Sequence, residues 1–292
     1  MSLYSIWILE YCHMPEMAAA HFVYGRHGGS PAKMPFGYIL LSNGDRRILI
    51  DCGYDHEGHG NRLTSAFGIK NWHSPAQVLG QVGVRPEDIT DVIISHAHFD
   101  HMGALGRFPN ATFYLQKREL DRWIWAMSLD RKFRWMMGSV DPADVLLAVE
   151  LARRGSLVLV DGDRDDVLPG VDLRLAADSH TAGSQYVVIR NDGVGESRDR
   201  YVCAGDLVYT LDNLDGGTPD DPQYIPVGYA LDSQTNLLLA MDAIMTAAMG
   251  DKKRVLSVHE ERMADLYPSR RSDLGLDIIE VALAPGARSR VH

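Results

Sequence analysis

Three histidines and one aspartate fall within six positions of this chain, in His96-Ala97-His98-Phe99-Asp100-His101. Imidazole nitrogens and carboxylate oxygens are the ligand types that zinc and similar divalent ions take. The run follows an apolar stretch, Val92-Ile93-Ile94, with only Ser95 between them. A strand that ends in such a cluster presents its ligands from a loop at the sheet edge, where a metal and a substrate can both reach them. The chemistry such a loop serves is metal-assisted hydrolysis.

Three more ligand types sit at similar places. His180 lies in Asp178-Ser179-His180-Thr181, Asp206 in Cys203-Ala204-Gly205-Asp206, and His259 in Ser257-Val258-His259-Glu260. Each closes an expected strand, at 171–176, 201–204 and 254–258. A lone histidine is ordinarily a surface or satisfied core residue, so His180 and His259 draw their weight from the cluster. Five histidines and two aspartates are about what two metals with a shared carboxylate need. The partition is His96, His98 and His180 on one metal and Asp100, His101 and His259 on the other, with Asp206 bridging. Two divalent ions, two aspartates and a hydroxide leave a net charge of about +1, which suits a developing oxyanion. Water bound to such a metal falls to a pKa of roughly 7, so a nucleophile exists at neutral pH.

The elements that must position these groups alternate along the chain. Strands are expected at 5–9, 38–41, 47–50, 91–94, 111–115, 157–160, 171–176, 186–190, 201–204 and 254–258, with 278–283 a strand or helix end. Asn43-Gly44-Asp45 is a hairpin turn signal. Ser74-Pro75 caps a short helix at 76–79. Asp141 and Pro142 open a helix that Gly155 ends. Residues 118–135 read as helical, and 233–249 as a long apolar helix. No repeat or linker divides the chain, so one domain over 1–292 is expected. It carries an active-site loop at 11–36 and a helical insertion at 116–155. Two sheets packed face to face with helices outside is the economical α+β architecture.

The bulk numbers narrow the function. The 292 residues are 46% hydrophobic, enough for a full core without a structural metal or disulfide. A formal charge of −10 repels phosphate backbones and disfavours nucleic acid as partner or substrate. Three widely spaced cysteines, Cys12, Cys52 and Cys203, without a CxxC pair, suit free thiols in a reducing compartment. No basic-then-apolar leader and no long apolar run occurs, so a cytoplasmic protein without a membrane span is expected.

The ligand segments resemble those of the metallo-β-lactamase superfamily, and the resemblance covers nearly the whole chain. Leu49-Ile50-Asp51-Cys52-Gly53 is similar to its hydrophobic-D-x-G turn, His96 to His101 to its HxHxDH motif, and His180-Thr181-Ala182-Gly183 to its GHTPG segment. Gly205-Asp206 resembles its bridging aspartate. The departures are Ser179 for a usual glycine, Ala182 for proline, and Ser184 where a second histidine often stands. The resemblance implies an αββα sandwich of two mixed sheets with helices on the outer faces. Within the superfamily the chain is most similar to the N-acyl-homoserine lactone lactonases. All seven ligand positions are filled, Tyr209 stands three residues after Asp206, and a long segment separates the first two strands. This implies two Zn2+ per chain, replaceable by other divalent metals, and a small-molecule lactone substrate opened by a bridging hydroxide. Asp100, Asp206 and Tyr209 are the implied catalytic residues. Tyr209 would donate to the carbonyl oxygen, and Asp206 would pass a proton to the departing ring oxygen.

Other residues invite blander readings. Trp123, Trp125 and Trp135, with Met127, Met136 and Met137, could wall a substrate pocket, but a core-facing or dimer-facing helix is the simpler account. A homodimer is a candidate on that ground. His13, His21, Phe22, Tyr24 and His27 are candidate substrate contacts in the first loop, most of them ordinary loop packing. His56 and His59, in the Gly-rich turn at 53–60, look like a metal cluster, but a solvated turn is the simpler account. Glu260 and Glu261 are candidates to orient ligands from behind. The rival activities are a glyoxalase II type thioester hydrolase and a persulfide dioxygenase on a single iron. A metal-stapled binding protein is the non-enzymatic alternative.

Overall fold

The computed structural model describes residues 3–218 and 220–291. Its first sheet opens with β1 (Ser5–Met17), β2 (Ala32–Ser42) and β3 (Arg47–Ile50), then takes β4 (Asp91–Ile93), β5 (Thr112–Gln116) and β6 (Leu157–Val160). The second sheet is built from β7 (Arg164–Leu168), β8 (Val171–Leu175), β9 (Gln185–Arg190) and β10 (Arg200–Cys203). A small hairpin follows, β11 (Gly216–Thr218) with β12 (Asp221–Gln223). Then β13 (Val255–Leu256) joins the second sheet, and β14 (Ser269–Arg271) and β15 (Asp277–Ala282) return to the first. The strand orders are β14-β15-β1-β2-β3-β4-β5-β6 and β13-β10-β9-β8-β7.

Alternation along the strands builds two apolar layers. Ile6, Ile8, Ile39, Leu41, Ile48 and Ile50 face Val171, Leu173, Val187 and Ile189 between the sheets. Trp7, Leu9, Leu40 and Leu49 point the other way, into a core shared with helix residues Val78, Leu79, Val145 and Ala148. Val188 and Val202 likewise pack with Leu237, Met241 and Ile244 of the long apolar helix. The result is an αββα sandwich. The helices are α1 (Ala19–Phe22), α2 (Gly58–Phe67), α3 (Pro75–Gly80), α4 (Phe99–Met102), α5 (Lys117–Met127), α6 (Pro142–Arg153), α7 (Gln234–Ala247) and α8 (Met263–Leu266). Among the described residues no helix is long and apolar enough to cross a membrane.

Topology brings the ligand loops to one rim. β8 and β10 both pair antiparallel with β9, and β13 runs parallel to β10. Their C-terminal ends therefore lie on the same edge. In the first sheet β3 and β4 are parallel, so residues 51–53 and 95–101 leave side by side.

Four expectations need correction. The segment 11–36 is not a loop throughout. β1 runs to Met17 and β2 starts at Ala32, paired through His13↔Pro35, Met14↔Met34 and Met17↔Ala32, which leaves 18–31 outside strands. Glu10 and His13 look like breaks in the apolar pattern. Glu10 is instead buried in ion pairs with His13 and Lys33, at 3.1 and 3.0 Å, so the ladder continues past it. The helix expected over 118–135 ends at Met127 and resumes as a 3-10 helix, Arg131–Met137. The solvated turn around His59 is the start of α2, with Gly68 at its left-handed end. The strand expected over 254–258 shortens to Val255–Leu256, because 252–254 forms a 3-10 turn capped by Asp251.

Candidate metal centre

All seven candidate ligands meet at the rim, and all are buried. Two groups form. In the first, ligand atoms of His96, His98, His180 and Asp206 all lie within 4.8 Å of one another, and the second joins Asp100, His101 and His259 on the same criterion. Asp206 stands between the trios. Its Oδ2 lies 3.4 Å from His96 Nε2 and 3.3 Å from His180 Nε2. Its Oδ1 lies 3.0 Å from His101 Nε2 and 3.1 Å from His259 Nε2. One carboxylate oxygen thus serves each trio.

The hydrogen bonds behind the histidines set which nitrogen faces the centre. His259 Nδ1 donates to Pro35 O at 2.7 Å, and His101 Nδ1 donates to Asp51 Oδ2 at 2.8 Å. Ser95 Oγ gives its proton to Asp51 Oδ2 at 2.9 Å, so it accepts from His96 Nδ1 at 3.0 Å. Each of these rings therefore turns an unprotonated Nε2 inward in its neutral form. The Nε2 atoms of His96, His98, His101 and His259, with Asp206 Oδ1, have no hydrogen-bond partner among the described residues, although buried. Lone pairs that converge on carboxylate oxygens without protons fit shared cations and little else. The donor set, nitrogen-rich with two carboxylates, matches divalent zinc-like ions.

Charge follows the same pattern. Burial and the imidazoles of His96 and His180 hold His98 well below the usual histidine range. Burial also lowers His101, but Asp206, Asp100 and Asp51 outweigh it and push that imidazole well up. Burial raises Asp206, yet His101, His259 and His96 overcome it and hold the carboxyl well below its ordinary value. The second trio thus attracts positive charge strongly, which a metal would supply in place of a proton.

Two buried carboxylates, Asp51 and Glu119, brace the ligand loops, a role that sequence reasoning assigns to neither. Asp51, in left-handed backbone at φ 63°, also accepts Ser95 N at 2.7 Å. Glu119 of α5 accepts four hydrogen bonds. Ala97 N and Trp123 Nε1 reach Oε1 at 3.0 and 2.7 Å, and Thr181 Oγ1 and Gly183 N reach Oε2 at 2.8 and 2.7 Å. It ties the His96–His98 turn to the His180 loop. A signal for it was available, because a charge four residues before a buried tryptophan sits on the apolar face of its helix. Glu260 does not orient His259; its carboxylate accepts Leu211 N at 2.8 Å and pairs with Arg262. Glu261 is exposed.

A cavity of about 430 Å3 opens onto the centre. Met14, Met17, Met34, Phe36, Leu63, Phe67, Phe99 and Trp135 line it, and no lysine or arginine among the described residues does. Tyr209 and Tyr229 stand beside the histidines. The Tyr209 ring lies 5.3 Å from that of His259 and 5.9 Å from that of His180. Burial first, then Asp206 and Asp100, pushes its phenol well up, so it stays a donor. Of the first-loop candidates His21 lines the cavity, stacked on Tyr209 at 5.7 Å, whereas Tyr24 and His27 are exposed and His13 pairs with Glu10. The tryptophans part company. Trp123 is buried on Glu119, Trp125 is exposed, and Trp135 sits on the cavity rim.

The sequence model of the metallo-beta-lactamase superfamily matches residues 37–246. The chain belongs to that superfamily. An N-acyl homoserine lactonase AttM from Azorhizobium caulinodans is 30% identical over 101 residues, 32% of this chain and 38% of that protein. An N-acyl homoserine lactonase AiiA from Bacillus thuringiensis subsp. kurstaki is 26% identical over 200 residues, 65% of this chain and 71% of that one. Among solved structures, a B. thuringiensis AiiA mutant with N-decanoyl-L-homoserine bound at its active site superposes with a TM-score of 0.63 at 20% identity, covering 91% of this chain and 96% of that one. The dizinc quorum-quenching lactonase AidC superposes with a TM-score of 0.62 at 17% identity, covering 96% and 95%. At these identities the structural likeness shows the shared fold alone.

Proposed function

We propose that this superfamily member is a dinuclear-metal hydrolase that opens lactone rings, with zinc the expected metal. The observation that carries the reading is Asp206, one oxygen toward His96 and His180 and the other toward His101 and His259, beside an apolar cavity that no lysine or arginine among the described residues lines. The ligands are His96, His98 and His180 on one side, Asp100, His101 and His259 on the other, and Asp206 between. Two divalent ions there would supply carbonyl polarisation and a water acidic enough to attack at neutral pH.

The chain's own groups do the rest. The apolar lining of the cavity suits an uncharged, largely apolar substrate. Tyr209 donates a hydrogen bond from its phenol to the carbonyl oxygen as charge develops there. Asp206 takes up the proton that the attacking water loses. When the ring C–O bond breaks, that proton goes to the departing ring oxygen, and the product is a hydroxy acid. The relatives named as N-acyl homoserine lactonases support the lactone as substrate class.

A thioester hydrolase of the glyoxalase II type needs cations for its anionic thiol carrier, and the cavity offers none. A single-iron persulfide dioxygenase leaves the second trio without a task. The test is a panel of N-acyl-homoserine lactones, alkyl γ-lactones, fused aromatic lactones and a thioester, followed by pH-stat, with metal counted by mass spectrometry. Lactone opening with two divalent ions per chain is expected. Thioester cleavage alone, or one iron per chain, refutes the assignment. Three buried free thiols suit the cytoplasmic placement, and exposed Trp125 and Phe133 offer surface for a homodimer; sedimentation velocity tests the latter.

A further inference from the structure

The lactone reading uses one phenol, and the cavity holds two. Tyr229 lies in the irregular stretch before α7, and its ring stands 5.8 Å from that of His98 and 6.1 Å from that of His180. It therefore flanks the His96–His98–His180 side of the centre. Its hydroxyl has one partner, Ser139 Oγ, which donates to it at 3.4 Å. Among the described residues the phenol donates to no acceptor, although it lines the same cavity as His98, Asp206 and Tyr209.

The backbone around Tyr229 is pinned from two directions. Gly228 N donates to His21 O, and Leu231 N donates to His180 O, both at 2.9 Å. The first bond holds the segment under the 18–31 loop, and the second fixes it to a ligand loop. Residue 228 must be glycine for this approach, because a Cβ there would collide with the carbonyl oxygens of Ala20 and His21. The ring is held as well. His21 lies parallel to it, 8° between planes at 6.2 Å, and Trp135 meets it edge-on at 6.1 Å. A hydroxyl so fixed, with its proton free, is a preorganised donor.

We propose that Tyr229 is a second catalytic phenol, which donates to the lactone carbonyl oxygen from the His98–His180 side and shares the developing charge with Tyr209. This rests on the lactone reading above. The test compares the parent with Tyr229→Phe on an N-acyl-homoserine lactone and on an alkyl γ-lactone that lacks the amide. The expected result is a fall in kcat/KM of about 10- to 100-fold on both substrates, with a severalfold rise in KM and the rest in kcat. Melting temperature and bound metal should match the parent. Calorimetry with the ring-matched lactam, which keeps the carbonyl but is not opened, should show severalfold weaker binding to the variant. Equal kcat/KM overturns the proposal, and so does unchanged lactam affinity. A loss confined to the amide-bearing substrate also overturns it, since the hydroxyl would then read the acyl side chain. A parent that opens neither lactone fails the functional reading itself, and a parent that opens both while the variant keeps pace fails this inference alone.

Discussion

Glu119→Gln separates the claim that this carboxylate braces the centre from the claim that it merely fills space. The substitution keeps the volume and removes the charge. In the parent each carboxylate oxygen accepts two bonds, Ala97 N and Trp123 Nε1 on one, Thr181 Oγ1 and Gly183 N on the other. A glutamine offers one oxygen and one NH2. In either orientation the NH2 faces a buried backbone N–H, that of Ala97 or of Gly183. Bonds to a charged acceptor are each worth about 1.5–3 kcal/mol net, and an orphaned buried N–H costs about 1–3 kcal/mol, so the loss should be about 3 kcal/mol after partial relaxation. For a chain of this size that corresponds to a fall in Tm of roughly 5 °C. The site should feel it too, because Ala97 lies between His96 and His98, and Gly183 closes the His180 loop. Loss of such bracing ordinarily lowers metal affinity about 10- to 100-fold. Calorimetric melting with and without chelator, and zinc competition with a chromophoric chelator, read the two effects. A variant that melts within about 1 °C of the parent and binds zinc equally well would refute the reasoning.

Asp51→Asn should weaken the hold on His101, so that stepwise chelation releases one of two metals at about tenfold lower chelator concentration while the other is retained. Tyr209→Phe should lower turnover by about 10- to 100-fold with metal content unchanged by mass spectrometry; unchanged turnover removes the phenol from the chemistry. Burial first, then Asp141 and Asp55, pushes the Asp144 carboxyl up to about 7. A folded value above the unfolded one means that ionisation opposes folding, so stability falls as pH rises from about 4 through 7. Asp144→Asn should flatten that slope in urea titrations and be the more stable protein above pH 7, by about 2 kcal/mol.

Much of the architecture could be read from the chain because its signals are local. The apolar run Ile48-Leu49-Ile50, the Asn43 hairpin turn and the Asp141–Pro142 helix start each depend on neighbours in sequence. The errors came where tertiary partners override local pattern. Glu10 reads as the end of a strand until Lys33, from the paired strand, and His13 neutralise it. His59 reads as part of a turn because Gly58 and Gly60 flank it, yet Leu63 is buried and the helix forms around that contact.

The centre divides along the same line. Four of its seven groups lie within six residues, so chemistry and spacing point to them together. His180, Asp206 and His259 were legible through their common position at strand ends, and parallel strand directions then bring them to one rim. The groups that set the imidazole tautomers are not tied to their histidines by spacing, even where, as with Asp51, the residue lies in a recognisable turn. Asp51 precedes Ser95 by 44 residues, and Pro35, which receives the His259 proton, is 224 residues from it. Such partners are chosen by the folded geometry and can be any acceptor that arrives there, a carboxylate for His101 and a bare carbonyl for His259. Ligand identity is therefore written in residue types, whereas ligand orientation is written in topology. That is why mutations at Asp51 and Glu119, which touch no metal position, are the sharper tests of the site than removal of another histidine.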